Sequence, residues 1–284
     1  MKYVLATLSF IAFLIQNLAA TERPNVVMIF TDDQRHDAVG YAGNDAVHTP
    51  NLDGLARQGL IFQNCFVNTS ICAISRANLL SGQYPGRHGI DDFHQLMLFF
   101  KAPHAPFTDW DPATEHLTDG RQMPRPSAAT LANAEREPEI IKQSLGRPSG
   151  MRYLQDPKWF DRHMRDYYRL IASMDTGVGR IMQSLKQRGL DQNTVVLFTS
   201  DNGHYKGEHG LAGKWLMHEP SLRVPGFLFD PRQPSGKTTD RMVITTDFSV
   251  TLLSLAGVPV PDNMTGLDLH GLYAESPENW REDF

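Results

Sequence analysis

The sequence predicts an α/β fold, a mostly parallel sheet sandwiched by helices, and three observations predict it. Apolar runs of strand length alternate with stretches of helical periodicity, polar clusters fall just after the strands, and 284 residues with 41% hydrophobic content suffice for one large core. After Pro24, the run Asn25-Val26-Val27-Met28-Ile29-Phe30-Thr31 is apolar throughout, as in a strand buried on both faces, and it ends at Asp32-Asp33. Thr49-Pro50-Asn51-Leu52 opens a short helix to Gly59, Leu60 to Val67 reads as a second strand, and Ser70 to Leu80 begins another helix. Leu96 to Phe100 is a short apolar strand that runs into the proline-broken loop Lys101 to Phe107. Pro106 to Met151 is rich in Pro, Asp, Thr and Arg without periodicity, the pattern of a long surface excursion that could cover a site. From Pro157 to Arg188, Tyr168, Ile171, Met174, Val178, Ile181 and Leu185 recur at three- and four-residue steps, marking an amphipathic helix with a break at Gly177 and Gly179 and an end at Gly189. Thr194 to Ser200 is a buried strand leading to Asp201-Asn202-Gly203, Val224 to Phe229 a further strand, and Thr246 to Ala256 a late helix. In such sheets ligands sit beyond the carboxyl ends of the strands, where every polar cluster falls.

The N-terminus carries Lys2, an apolar run from Tyr3 to Ile15 and a small-residue end at Leu18-Ala19-Ala20, which reads as a cleaved signal peptide over residues 1–20. Gln16 and Asn17 cut the apolar stretch below the roughly 20 residues of a spanning helix, so the expectation is an exported chain, periplasmic or extracellular, without a stable membrane anchor. A net charge of −5 with scattered Lys and Arg gives no basic footprint, which excludes nucleic acid as a partner. Cys65 and Cys72 can make one bridge at most, so disulfides do not define the fold, and the sequence leaves that bridge open.

Asp32-Asp33 alone reads as loop or cap residues, and Asp201-Asn202-Gly203 alone as a turn. Together they bring three carboxylates and an amide oxygen to two strand ends, a hard-oxygen set suited to Ca²⁺ or Mg²⁺. Cys72 stands near a helix N-terminus, where the macrodipole favours negative charge, and Arg76 follows one turn later. By position, Cys72 reads as a buried small hydrophobe or a thiolate nucleophile.

The stretch Asn68-Thr69-Ser70-Ile71-Cys72-Ala73-Ile74-Ser75-Arg76-Ala77-Asn78-Leu79-Leu80-Ser81-Gly82-Gln83-Tyr84-Pro85 resembles the signature of the type I sulfatases, of the alkaline phosphatase-like superfamily. In that family Cys-x-Pro-x-Arg marks a cysteine oxidised to formylglycine. The resemblance extends to Arg23-Pro24-Asn25-Val26-Val27, to Lys101-Ala102-Pro103-His104-Ala105-Pro106-Phe107, and to Ser200-Asp201-Asn202-Gly203 with Gly213-Lys214-Trp215. It implies that Asp32, Asp33, Asp201 and Asn202 hold a divalent cation, usually calcium, with the formylglycine at Cys72 completing the metal site. It further implies that Arg76 steadies the formylglycine, that His104 and Lys214 meet the sulfate and the leaving oxygen, and that His204, Glu208, His209 and His218 shape the pocket. One hydroxyl of the hydrated formylglycine would attack sulfur, and deprotonation of the second would expel sulfate. A formylglycine-generating or other sulfatase-maturating enzyme is then an implied partner.

The pattern departs from the family in three places. Ile74 stands where proline is usual. No Gly-Lys-Trp-His-type motif lies between Arg87-His88-Gly89-Ile90 and Leu96, so residues 21–284 are expected to form a catalytic domain incomplete between about 90 and 96. The smaller C-terminal domain of the family, with its antiparallel sheet, is expected to be largely missing. The activity implied is sulfate ester hydrolysis on a sulfated small molecule or glycan. The competing readings are a metal-dependent phosphodiesterase or phosphonate hydrolase of the same superfamily, and an inactive remnant that binds metal or glycan.

Overall fold

A computed structural model describes residues 23–88, 101–234, 236–273 and 280–283. The signal peptide expected over 1–20, the strand expected at 96–100 and the shortened segment near 90–96 lie outside them. Strands β1 (Asn25–Thr31), β2 (Leu60–Phe66), β3 (Thr194–Ser200), β6 (Gly226–Phe229) and β7 (Lys237–Ile244) form one sheet in the order β1-β3-β6-β2-β7. Tyr205–Lys206 (β4) and Ala212–Gly213 (β5) pair separately as a small antiparallel ribbon. The β1–β3 and β2–β7 pairs are parallel, and only β6 runs against its neighbours, which gives the mostly parallel sheet expected.

Side chains alternate across the sheet and bury on both faces. Ile29, Val196, Phe198 and Phe227 join one core with the helices α1 (Pro50–Gln58) and α4 (Pro157–Gln187), which follows the helix α3 (Arg147–Gln155). Phe30, Val195, Leu197 and Leu228 join a second core with α2 (Cys72–Ser81) and α5 (Thr245–Leu255), through Leu79, Phe248 and Leu255. The result is an α/β/α sandwich.

α4 buries Phe160, Met164, Tyr167, Ile171, Met174 and Val178, a three- and four-residue rhythm that faces the sheet. It runs unbroken to Gln187, against the expected break at Gly177 and Gly179. The reason for Gly179 is proximity: a Cβ there would stand 2.6 Å from the Asn51 side chain. At that crossing the buried Asp175 carboxylate accepts from the Asn51 and Leu52 backbone N–H groups, at 3.1 and 2.7 Å, and from Asn51 Nδ2. Asp175 thus satisfies orphan donors at the start of α1 from another helix.

The excursion over 106–151 is more ordered than its composition suggested. It carries a 3₁₀ turn at Pro112–Thr118 and short helices at Leu131–Arg136 and Glu139–Lys142, with Asp111 and Thr130 as side-chain N-caps. Phe107 and Met123 bury in the first core. No described helix is long and apolar enough to cross a membrane.

Replacing Asp175 by Ala strands three donors at the α1–α4 crossing and should destabilise the fold by about 3 kcal/mol. Urea unfolding checks this; a loss below about 0.5 kcal/mol, the scale of a surface change, would contradict the capping role.

Candidate active site

β1 and β3 pair in register from Asn25↔Thr194 to Thr31↔Ser200, so the residues that follow them emerge side by side. Asp201 N–H donates to Thr31 O at 2.9 Å, and Asp33 N–H donates to Asp201 Oδ1 at 3.1 Å. Asp33 takes a left-handed φ of 65°, rare outside glycine, which turns its carboxylate toward Asn202. Asn202 Nδ2 donates to Asp33 Oδ1 at 2.5 Å, while Asn202 Oδ1 is buried with no hydrogen-bond partner. Gly203 follows because a Cβ would fall 2.2 Å from Pro220 O.

Cys72 is the first residue of α2, brought to the same place by β2. Its Sγ lies 3.4 Å from Asp32 Oδ1, and both cysteines are free, which settles the open Cys65–Cys72 bridge against pairing. Arg76, one turn on, donates from Nη2 to Asp32 Oδ2 at 2.5 Å and to Asp201 Oδ2 at 2.8 Å. Lys214 reaches in from the loop after β5, its Nζ hydrogen-bonded to Asp33 Oδ1 and Cys72 Sγ and 3.6 Å from Asp32 Oδ1. His104, between two cis peptides at Pro103 and Pro106, places Nε2 3.7 Å from Asp33 Oδ2. Asp32, Asp33, Cys72 and His104 have potential ligand atoms within 4.8 Å of one another. The eight residues expected to bind the metal or act in catalysis therefore converge.

The loop histidines and Glu208 behave differently. Glu208 pairs with the buried Arg35 at 2.5 Å, and His209 Nδ1 donates to Glu137 Oε1 while its ring stacks on His218 at 4.5 Å. His204 is buried, its Nδ1 on Tyr205 O, and burial followed by the Lys206 charge holds its pKa well below the usual histidine range.

Electrostatics explain why these groups tolerate each other. Burial and the neighbouring Asp32 push the Asp201 carboxyl well up, against Lys214 and Arg76. Burial works against the Lys214 charge, yet Asp33, Cys72 and Asp201 outweigh it and hold the ammonium protonated. Burial and the Asp201 charge drive the Cys72 thiol upward, so as a plain sulfur it is a weak nucleophile at neutral pH. Three carboxylates face two cationic side chains, leaving one negative charge, and the orphaned Asn202 oxygen adds a neutral donor. That set fits a hard divalent cation.

Several supporting groups carried no sequence signal. Tyr167 Oη donates to Asp33 O at 2.8 Å and accepts from Arg35 N–H at 3.1 Å, bracing the Asp33 turn from α4. Arg35 grips Asp37 through two bonds of 2.8 Å and also donates to His204 O. Lys206 is fully buried, with Nζ 3.9 Å from the Tyr167 ring centre and 4.2 Å from that of Phe107, and without a hydrogen-bond partner.

Carboxylates, a helix-terminal cysteine and cations thus meet at the strand ends of an α/β sandwich, an arrangement suited to a hydrolase. The chain belongs to the sulfatase family, whose profile matches residues 24–95 and 91–258. An arylsulfatase of Clostridium perfringens is 23% identical over 92% of this chain and 80% of its own length. Among solved structures, a protein in complex with its substrate D-glucosamine-2-N,6-O-disulfate superposes with a TM-score of 0.76 at 20% identity, covering 92% of this chain and 82% of the other. The phosphonate monoester hydrolase of Agrobacterium radiobacter superposes with a TM-score of 0.74 at 21% identity, covering 91% and 79%.

Burial and the Arg35 charge pull the Lys206 pKa down to about 7, against Asp33 and Glu208, while the two ring faces return part of the lost solvation. Unfolded, the amine keeps its proton to about pH 10.4, so between roughly pH 7 and 10.4 the unfolded chain binds more protons and native stability rises with pH. Lys206→Met should therefore stabilise the protein, with the full gain below about pH 7 and a shrinking gain above it. Paired urea titrations near pH 6.5 and 9 check the sign; an equal difference at both would contradict it.

Proposed function

We propose that this chain hydrolyses sulfate esters, with a formylglycine derived from Cys72 and a divalent cation, Ca²⁺ or Mg²⁺, held by Asp32, Asp33, Asp201 and Asn202. The observation that carries the reading is the placement of Cys72 at a helix start, against Asp32 and Lys214, with a thiol too basic to serve unmodified. A hydrated aldehyde at this position would supply the attacking oxygen, and the cation would lower the basicity of that oxygen. The chain's own residues do the rest. Arg76 and Lys214 present fixed positive charge where the sulfuryl oxygens would gather negative charge. His104, about one third exposed, stands at the open side, where a departing alcohol needs a proton.

Sulfated carbohydrate is the proposed substrate class, supported by the neighbouring fold bound to D-glucosamine-2-N,6-O-disulfate. The phosphonate hydrolase likeness is one of fold and brings no competing observation at the site. Residues 21–284 are read as a catalytic domain shortened between about 90 and 96; the two profile matches, which overlap at 91–95 and end at 258, support the part they cover. Residues 1–20 are read as the export signal, so maturation would involve a sulfatase-maturating enzyme on the export route.

Expression with a formylglycine-generating enzyme, followed by intact-mass analysis of the exported chain, should reveal the mass loss that marks oxidation of Cys72. That material should release sulfate from sulfated monosaccharides and stop doing so on chelation. Arg76→Ala should lower kcat/KM by about 10² to 10³, and Asp201→Asn should shrink the rise in Tm produced by Ca²⁺. Converted protein that releases no sulfate, or that turns over phosphonate esters faster, would overturn the reading.

A further inference from the structure

Lys206 is buried, yet its Nζ has no hydrogen-bond partner. It lies instead over two aromatic faces, 3.9 Å from the ring centre of Tyr167 and 4.2 Å from that of Phe107, and these two rings meet edge to face at 5.4 Å. Burial and Arg35 work against its charge, while Asp33, Glu208 and Asp37 favour it. Burial, and then the Lys206 charge, keeps His163 and His204 neutral beside it. An ammonium placed here gives up its hydration and recovers part of that loss from the ring faces. A methionine of similar length would fill the same space without the loss. Natural chains carry such costs mainly at functional sites.

The three elements that meet at this ammonium each carry or brace a residue of the Cys72 site. Lys206 stands on β4 and pairs with Ala212 of β5, two residues from Lys214. Tyr167 Oη donates to Asp33 O at 2.8 Å, at the turn that takes positive φ. Phe107 is the buried end of the loop of His104, whose own ring is about one third exposed and bonds through Nδ1 to the neighbouring Ala105 O. Apolar packing is non-directional and would let either ring slide, whereas a cation is held best over the negative face of a ring. In a dry interior that attraction is poorly screened, so it fixes both rings relative to β4. We infer that Lys206 is a positioning residue for the reaction at Cys72: its ammonium, set over Phe107 and Tyr167, holds the His104 loop and the Asp33 turn in register with the ribbon that leads to Lys214. Its effect reaches the chemistry through the placement of His104, whose Nε2 stands 3.7 Å from Asp33 Oδ2. The inference rests on the sulfatase reading for the reaction that is positioned, and on the geometry alone for the positioning.

Steady-state kinetics on the full chain, converted at Cys72 and supplied with Ca²⁺, test it with 4-nitrophenyl sulfate at pH 6.5. Lys206→Met should lower kcat about ten-fold and leave KM within about two-fold, while Tm rises. Phe107→Leu should lower kcat by itself, and the double variant should lose less than the product of the two single losses, because both act through one contact. An unchanged kcat in the more stable Lys206→Met, or losses that multiply, overturns the positioning role. Crystal structures of the parent and of Lys206→Met give a readout independent of turnover: the separation of His104 from Asp33 should lengthen by about 1 Å in the variant. A converted parent that releases no sulfate overturns the sulfatase reading, and the two structures then decide the positioning, which an unmoved His104 overturns.

Discussion

Parallel pairing of β1 with β3, unbroken from Asn25↔Thr194 to Thr31↔Ser200, governs the rest of the site, because it delivers three carboxylates and the Asn202 amide to one buried spot. A one-residue slip would turn each side chain to the other sheet face and separate Asp32-Asp33 from Asp201-Asn202. Once the carboxylates share that spot, their repulsion dictates what surrounds them. Arg76 has to come from α2 and Lys214 from the loop after β5, since neither strand carries a cation of its own. The position of Cys72 then follows, for the first turn that presents Arg76 to Asp32 and Asp201 also sets the start of α2 against Asp32.

The supporting layer solves a second problem, that of holding a turn with an unfavourable backbone. Asp33 sits at positive φ, and its carbonyl is taken up by Tyr167 from the long helix α4. Arg35 ties the same turn to the loop of His204 and Glu208 through a buried, hydrogen-bonded ion pair. Such a pair contributes little net stability against well-packed apolar groups, but removal of either partner leaves a charge stranded. Its value is positional: it fixes the distance between the two loops that carry Asp33 and Lys214.

The extent to which this was legible in the sequence follows from the range of each interaction. β1 and β3 are continuous apolar runs closed by acids, so their limits could be read to the residue. β7 escaped notice because Lys-Thr-Thr-Asp-Arg is polar and half exposed along its first part, and pairing with β2, not composition, makes it a strand. The reversed direction of β6 is equally invisible, for four residues of strand carry no mark of orientation. The site residues were readable because short motifs name them. Tyr167, Arg35 and Lys206 were not, since Tyr167 and Arg35 lie 132 residues apart and are joined only by tertiary packing. The break expected at Gly177 and Gly179 failed for a related reason: Gly179 marks a close crossing with Asn51, and a single sequence cannot distinguish a crossing from a helix stop.

Backbone strain ties these layers together. The non-glycine residues described at positive φ are Asp33, His209 and Trp215, and all three belong to the two loops that approach Cys72. A local preference would have placed glycine or asparagine at each. Their persistence means that tertiary bonds outweigh a cost of about 1–3 kcal/mol apiece. For Asp33 those bonds run to Asp201 and Tyr167, for His209 to Glu137 and Ala128, and for Trp215 to Ser70. Each strained residue is therefore anchored to a different element, so the loops cannot relax singly. The same arrangement that fixes the carboxylates beside Cys72 also ties Trp215 to the loop that delivers Cys72, through its N–H on Ser70 O.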